Sequence, residues 1–387
     1  MPLQVRTIRT WDELEAIRPA WESILQDAEG LTIFSTLEWL GAWWKSFVKD
    51  KELVAPVFLN ADDEVVGVVP LYADLIEPAL PFRLRRLRFV GDGSEDSDNL
   101  DLIIRKGYQA ACTQSFLSWL ESNPEWDICE LNTLPWDSAA VPSLVSDLKS
   151  RRWTFRRLGR PRSTIALPET WESYLKQTIS NKEKTKIVYY TNRLHKHFHV
   201  SITKCDATQA LPASLDALFG LHQKRWQMLG KPGAFASAQR RELYYNMAAS
   251  FLERGWLEFW ILQLDGKPAA AQYGFRYRDV VYSLQEGFDP AYSSDRAGYV
   301  LRAQVIKTLI GQGIRQYDFL GEEDPSKNRW GAQVESYADI HFARRLTQGA
   351  LYLRIDQTSR TLKSWLRTNL PAPVLKAIRR SRLETKR

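Results

Sequence analysis

The chain has 387 residues, 44% of them hydrophobic and 12% aromatic, which is enough for two domains of ordinary size with real cores and excludes a disordered chain. No apolar run approaches the roughly 20 residues that span a bilayer, and the opening Met1–Arg6 lacks the apolar stretch of a secretory signal, so a soluble cytoplasmic protein is expected. The net charge of +7 is concentrated: from Arg354 onward ten Lys/Arg face two Asp/Glu, leaving the preceding body at about −1, which argues against nucleic-acid binding as a main role.

In chain order, Trp11 to Leu25 reads as a helix, and Phe34 to Trp44 as a second whose Trp39, Trp43 and Trp44 fall on one face, a core stripe. Leu53–Leu59, a turn at Ala61-Asp62-Asp63 and Val65–Tyr72 read as a hairpin, and Arg86–Val90 continues the sheet. Asp92, Glu95, Asp96, Asp98 and Asp101 then form an acidic loop; their spacing is not that of a calcium-binding loop, and a hydrophilic surface loop is the simpler reading beside contact with a cation or sugar hydroxyls. A helix from Gly107 to Leu120 and a strand from Asp127 to Leu131 close the first half.

Arg151 to Arg162, basic and containing Gly159 and Pro161, reads as a linker, and Trp171 to His195 as one long helix. The second half repeats the order of the first. Trp256–Leu264 and Ala269–Arg276 flank the turn Asp265-Gly266, Val280–Gly287 adds a strand, an amphipathic helix follows from about Gly298 to Ile310, and Tyr317–Leu320 returns as a strand. A meander feeding a crossover helix and another strand is how a sheet splays to hold a pantetheine-like arm, with a helix N-terminus nearby for phosphate. The expected architecture is therefore α/β, with mixed but mainly antiparallel sheets, in domains of 1–150 and 151–350 followed by a basic amphipathic tail, 351–387. The tail's short helices, broken around Pro371 and Pro373, suit an anionic membrane surface, while a solvated tail or one packed on the body is the simpler reading.

Cys112, Cys129 and Cys205 form no Cys-x-x-Cys pair and read as buried, inert thiols. His195, His197 and His199 alternate, but with no carboxylate pattern nearby they read as a solvated helix end, and no metal is expected.

Phe34–Trp44, Val68–Leu71, Leu218–Trp226, Gly298–Lys307, Gly313–Gly321 and Lys327–Gly331, in this order and spacing, resemble the tandem-GNAT acyltransferases of the CelD-type polysaccharide-biosynthesis group, relatives of the FemABX aminoacyltransferases. The resemblance covers about residues 5 to 345. It implies two GNAT-like domains, acyl-donor chemistry in the second, and transfer of an acyl group from acetyl-CoA or another acyl-CoA to an amine, such as an amino sugar in envelope or exopolysaccharide synthesis. Glu286 is then the first choice for general base, against a plain strand-end carboxylate. Lys327 would stabilise the oxyanion, against an ordinary loop lysine. Asp318 is either catalytic or a hydrogen-bonding anchor for Gly321, and the anchor is favoured. Glu286 and Lys327 should flank one shared hollow.

Arg296, Ala297, Gly298 and Tyr299 open the crossover helix and are the candidates for the coenzyme A pyrophosphate. The usual GNAT phosphate loop is not intact, since only Gly298 is present there. Arg225, Trp226 and Gln285 are candidates for the acceptor side, with Trp226 mainly structural. Two alternatives stand beside this reading. One is FemABX-like transfer from aminoacyl-tRNA to a peptidoglycan precursor, which coiled helices between Lys182 and His199 would favour; the other is a catalytically silent GNAT fold that binds a ligand.

Overall fold

The computed structural model describes residues 3–28, 30–78, 83–228, 230–321 and 324–369. The first half comprises β1 (Gln4–Ile8), α1 (Trp11–Ala16), α2 (Arg18–Asp27), α3 (Leu37–Phe47), β2 (Glu52–Leu59), β3 (Val65–Val68), β4 (Leu71–Ile76), β5 (Leu84–Phe89), β6 (Ile103–Ile104), α4 (Gln109–Ser122), β7 (Ile128–Pro135) and α5 (Val141–Ser150). The second comprises β8 (Thr154–Ala166), α6 (Trp171–Gln177), α7 (Asn181–His197), β9 (Val200–Lys204), α8 (Leu211–Met228), α9 (Ala238–Glu253), β10 (Leu257–Leu264), β11 (Lys267–Tyr277), β12 (Val280–Phe288), α10 (Ala297–Gly311), β13 (Gln316–Asp318), α11 (Pro325–Asn328), β14 (Gln333–Ala343) and α12 (Gln348–Asn369).

Each half builds the same unit. Strands β2, β4 and β5 are antiparallel neighbours, and β7 joins β5 in parallel after the crossover helix α4. Likewise β10, β11 and β12 are antiparallel, and β13 joins β12 in parallel after α10. The turn between β10 and β11 holds Asp265 and Gly266 at φ of 50° and 76°, the left-handed pair that a tight hairpin twisting with its strands requires.

Several expectations are corrected. The segment Arg151 to Arg162 is no linker, because β8 pairs with β14 from Thr154 to Thr164. Its other edge meets β13 only at Thr164–Ala166, so Pro161, which has no N–H to give, sits where one edge carries no ladder. The long helix from Trp171 to His195 is two: α6 ends at Thr178, and the Ser180 hydroxyl accepts the Glu183 N–H to start α7. The helix expected from Trp11 to Leu25 is likewise divided, at Ile17. The strand read over Val65–Tyr72 breaks at Val69-Pro70, so β3 pairs with β2 and β6 while β4 returns to the start of β2. The crossover helix α10 is not amphipathic: Val300, Leu301, Ala303, Val305, Ile306 and Leu309 are all buried, because α10 lies between the sheet and helices α6 and α7.

Strand β14 belongs to the second half of the sequence yet lies between β7 of the first unit and β8 of the second, so one sheet runs through both. An aromatic seam reinforces the junction. Phe34 and Trp39 of the first unit meet Phe275 and Tyr282 of the second with ring centroids 5.1–5.8 Å apart. Trp39 and Trp43 are fully buried core residues. The three cysteines are buried free thiols, and burial pushes Cys112 up to about 12. His195 and His197 lie in the last turn of α7 and His199 beyond it, so the three share no strand face.

Helix α12 runs unbroken to Asn369, and its first turns are clamped to the body. Ala350 and Leu353 are buried on Ile128 and Ala343, and Asp356 pairs with Arg156 of β8. Residues 370–387, where helices broken around Pro371 and Pro373 were expected, lie outside the described residues. Among the described residues no helix is long and apolar enough to cross a membrane.

Candidate functional site

The sheet splays where the sequence placed the cleft. Strand β13 pairs with β12 for only three residues, Val280–Tyr282 with Gln316–Asp318. Beyond that, β12 continues along β11 to Phe288 while the other chain turns away through Leu320 and Gly321, both at positive φ. A bulge at the parting point leaves Leu284 as the extra residue of β12, and Gly274 opposite comes so close to the Tyr282 carbonyl that no Cβ fits. The free half of β12 runs between two hollows: Leu284 lines one, and Glu286, two residues on, lines the other.

The first hollow, ≈ 270 Å³, opens over the N-terminus of α10. Arg225, Glu286, Arg296, Ala297, Gly298 and Tyr299, all singled out from sequence, line it together. Arg296 is the N-cap of α10 in a left-handed conformation; its guanidinium cannot accept from the free helix N–H groups, and its side chain is exposed at the rim. Arg329 and Lys186 add further positive charge. The Tyr299 ring packs on Trp330 at 4.7 Å, and its hydroxyl donates to the Glu183 carboxylate at 2.9 Å. Glu286 is tied into an ion pair, because the half-buried guanidinium of Arg302 donates to both its oxygens, Nε at 2.9 Å. Trp226 and Gln285 line neither hollow; Trp226 is half-buried and its indole donates to His222.

The second hollow, ≈ 970 Å³, lies between the two units. Phe319, Leu320, Gly321 and Lys327 form one wall and the acidic loop of the first unit another. That loop is not a solvated one: Asp96, Asp98 and Asp101 are buried, and Asp92, Glu95, Asp96 and Asp98 face the cavity. Asp98 accepts the Gly321 N–H at 2.8 Å and Asp318 accepts the Leu320 N–H at 2.8 Å, so one carboxylate from each unit fixes the same turn. The Gly321 anchor expected of Asp318 is supplied by Asp98 instead, and Asp318 holds the neighbouring Leu320. Burial raises Asp318 to about 6 against the pull of Arg162, and burial also raises Asp98.

The Lys327 ammonium donates to the Leu320 carbonyl at 2.6 Å, and burial lowers its pKa although Asp318, Asp324 and Asp98 lie near. Lys327 and Glu286 do not share a hollow. The short helix α11 stands between them, with Lys327 facing the cavity and Ser326, together with Arg329 just beyond, facing the first hollow. Arg302 completes the partition, its guanidinium 5.1 Å over the Phe319 ring. Sequence reasoning missed Arg302, Arg160, Tyr337, Asp339 and His341. Each sits in a helix or strand pattern where nothing but the fold reveals which way it faces, and Asp98 was legible only as part of a charged loop.

Residues 181–328 match the family model described as an acetyltransferase (GNAT) domain. The match lies within the second unit and spans α7 through α11, and a domain of this kind marks the chain as an acyltransferase. Over most of the chain the fold is similar to FemX, with a TM-score of 0.59 at 10% identity, covering 87% of this chain and 96% of that one. It is also similar to a conserved protein of unknown function from Bacteroides thetaiotaomicron (TM-score 0.55, 13% identity, 88% and 100% covered) and to L-PGS from Bacillus licheniformis (0.50, 11%, 89% and 96%). At such identities the likeness is one of fold alone. No curated protein matches the sequence.

Proposed function

We propose that the chain transfers the acyl group of acetyl-CoA or another acyl-CoA to the amine of an amino sugar, in envelope or exopolysaccharide biosynthesis. The observation that carries this reading is the pair of hollows on the two sides of the free half of β12, where it parts from β13. The first offers a helix N-terminus with Arg225, Arg296 and Arg329 around it, a setting for a pyrophosphate, and the GNAT match covers its lining from Glu183 of α7 to Ser326 of α11. The second is large enough for a sugar acceptor, and its carboxylates suit an ammonium and hydroxyl groups.

In this reading the amine gives up a proton to Asp98, whose burial makes it a stronger base than an exposed carboxylate. The amine then attacks the thioester carbonyl; a C–N bond forms, the C–S bond breaks, and the thiol leaves with a proton. Lys327 supplies positive charge for the oxyanion from the cavity side. Glu286 holds Arg302 in the partition instead of acting as the base. The aminoacyl-tRNA alternative is not favoured, since between Lys182 and His199 there is a single helix, α7, that passes directly into β9. The basic tail, 351–387, is proposed to keep the protein near anionic lipid, and liposome flotation of chains with and without 354–387 tests that.

A thermal-shift titration tests the donor site. Acetyl-CoA at 100 times its Kd should stabilise the protein by about 2.7 kcal/mol, and Arg296→Glu should abolish the shift. Lys327→Met should keep the shift while lowering kcat by about 100-fold. A wild-type protein that does not respond to acetyl-CoA sinks the reading.

A further inference from the structure

The two hollows differ in what their cations are doing. At the rim of the first, Arg225, Arg296 and Arg329 have no ion pair among the described residues, and Arg225 lies over the Phe288 ring at 5.5 Å. In the cavity between the units every lining cation is already engaged. Arg86 pairs with Asp74 at 2.7 Å and Glu130 at 3.2 Å, and Arg88 with Asp92 at 2.7 Å. Arg156 is held by Asp356 and His341, Arg160 by Asp339 at 3.5 Å and Asp98 at 3.8 Å, and Lys327 by the Leu320 carbonyl. Five cations thus face six carboxylates, Asp92, Glu95, Asp96, Asp98, Glu130 and Asp339.

A phosphate entering this cavity would have to displace a carboxylate from a guanidinium while meeting the remaining carboxylates in a partly desolvated space, and like charges brought together there are strongly unfavourable. Hydroxyl groups face no such conflict: they donate to the outer lone pairs of the carboxylates and accept from the guanidinium N–H groups that the ion pairs leave over. An ammonium gains from the excess of acid. We infer that the acceptor enters as a neutral, hydroxyl-rich glycan carrying a cationic amine, and that sugars bearing phosphate, whether as 1-phosphates or as nucleoside diphosphates, are excluded. This rests on the reading of the cavity as the acceptor site. It divides the anions by site: phosphate belongs to the donor hollow alone.

The test uses the full chain with acetyl-CoA, thiol release as the readout, and three amines: the glucosamine dimer, glucosamine 1-phosphate and UDP-glucosamine. The dimer should exceed both phosphorylated sugars in kcat/KM by about tenfold or more. Equal or better use of either phosphorylated sugar overturns the inference, and so does rejection of all three amines while acetyl-CoA still raises the melting temperature. Failure of acetyl-CoA itself to bind is a different result, which removes the underlying transferase reading. Asp339→Asn supplies an independent arm, because asparagine can still accept the Thr133 N–H that Asp339 Oδ1 takes at 2.9 Å but no longer neutralises Arg160. The preference for the dimer over glucosamine 1-phosphate should narrow by about fivefold or more in this variant, and an unchanged preference contradicts the charge argument.

Discussion

Asp101 is a carboxylate whose charge has little support: its Oδ1 accepts from the Leu102 N–H at 2.8 Å and the Ser138 hydroxyl at 2.9 Å. Burial pushes it up to about 7. The folded state therefore binds a proton that the unfolded state has already released, so this group's contribution is fullest at low pH and declines as pH rises from about 4 to about 7. Asp101→Asn, which retains the acceptor oxygen without the charge, should be more stable than the parent by about 1–2 kcal/mol at pH 8, with the gap shrinking toward pH 5. Urea unfolding at the two pH values checks this; a gap that is constant or reversed contradicts it. At this scale the sequence was informative where residues close in the chain share one site. Arg296 to Tyr299 are consecutive and Glu286 is near, so all could be found together. Asp98 and Gly321 are 223 positions apart, and Asp98 could be seen as a wall of the cavity only once the fold had joined them.

The decisive element is β12, because its two halves do different work. Its first half is locked between β11 and β13, and its second is held on one edge only, by β11. Helix α8 props up that second half. A Cβ at Gly287 would lie 2.8 Å from the His222 backbone nitrogen and 2.9 Å from the Leu221 Cβ, so the close approach of α8 depends on glycine there. Gly287→Ala should cost about 1–3 kcal/mol by overpacking. It should also weaken acetyl-CoA binding, since Glu286 and Phe288 on either side line the donor hollow. Denaturant midpoints and acetyl-CoA titration of the variant measure both effects, and an alanine variant as stable as the parent would show that α8 can retreat freely. The hairpin at Asp265-Gly266 and the crossover helix were legible because turn chemistry and apolar runs are local. Strand β8 was not: Gly159 and Pro161 signal a break, and only the partner strand β14, some 170 residues later, makes the segment extended and paired.

Across the whole molecule the two units share a sheet, an aromatic seam and a cavity wall, so neither can lose its structure without exposing the other. Asn99 donates to the Tyr337 hydroxyl, the Arg240 guanidinium pairs with Asp96 at 2.9 Å, and Phe34 is buried edge-on against Phe275 and Tyr282. Calorimetry should therefore show one unfolding transition rather than two. Phe34→Ala should lower it as a single peak, by about 3–5 kcal/mol in stability, whereas two resolved peaks would mean that the seam couples the units weakly. The duplicated architecture could be read from the repeated order of elements, but the exchange that merges the units could not, because no local signal says which sheet a strand will join.

Strand β14 sits between β7 and β8 but ends only at Ala343, so during synthesis the β7 ladder must wait for more than 200 further residues before its open edge is covered. Until then a nascent chain presents a row of unpaired backbone groups flanked by apolar side chains, the kind of surface that recruits other chains. Biogenesis of this protein is thereby governed by its last strand, and production cut short before β14 emerges should yield aggregates in place of a half-sized folded product.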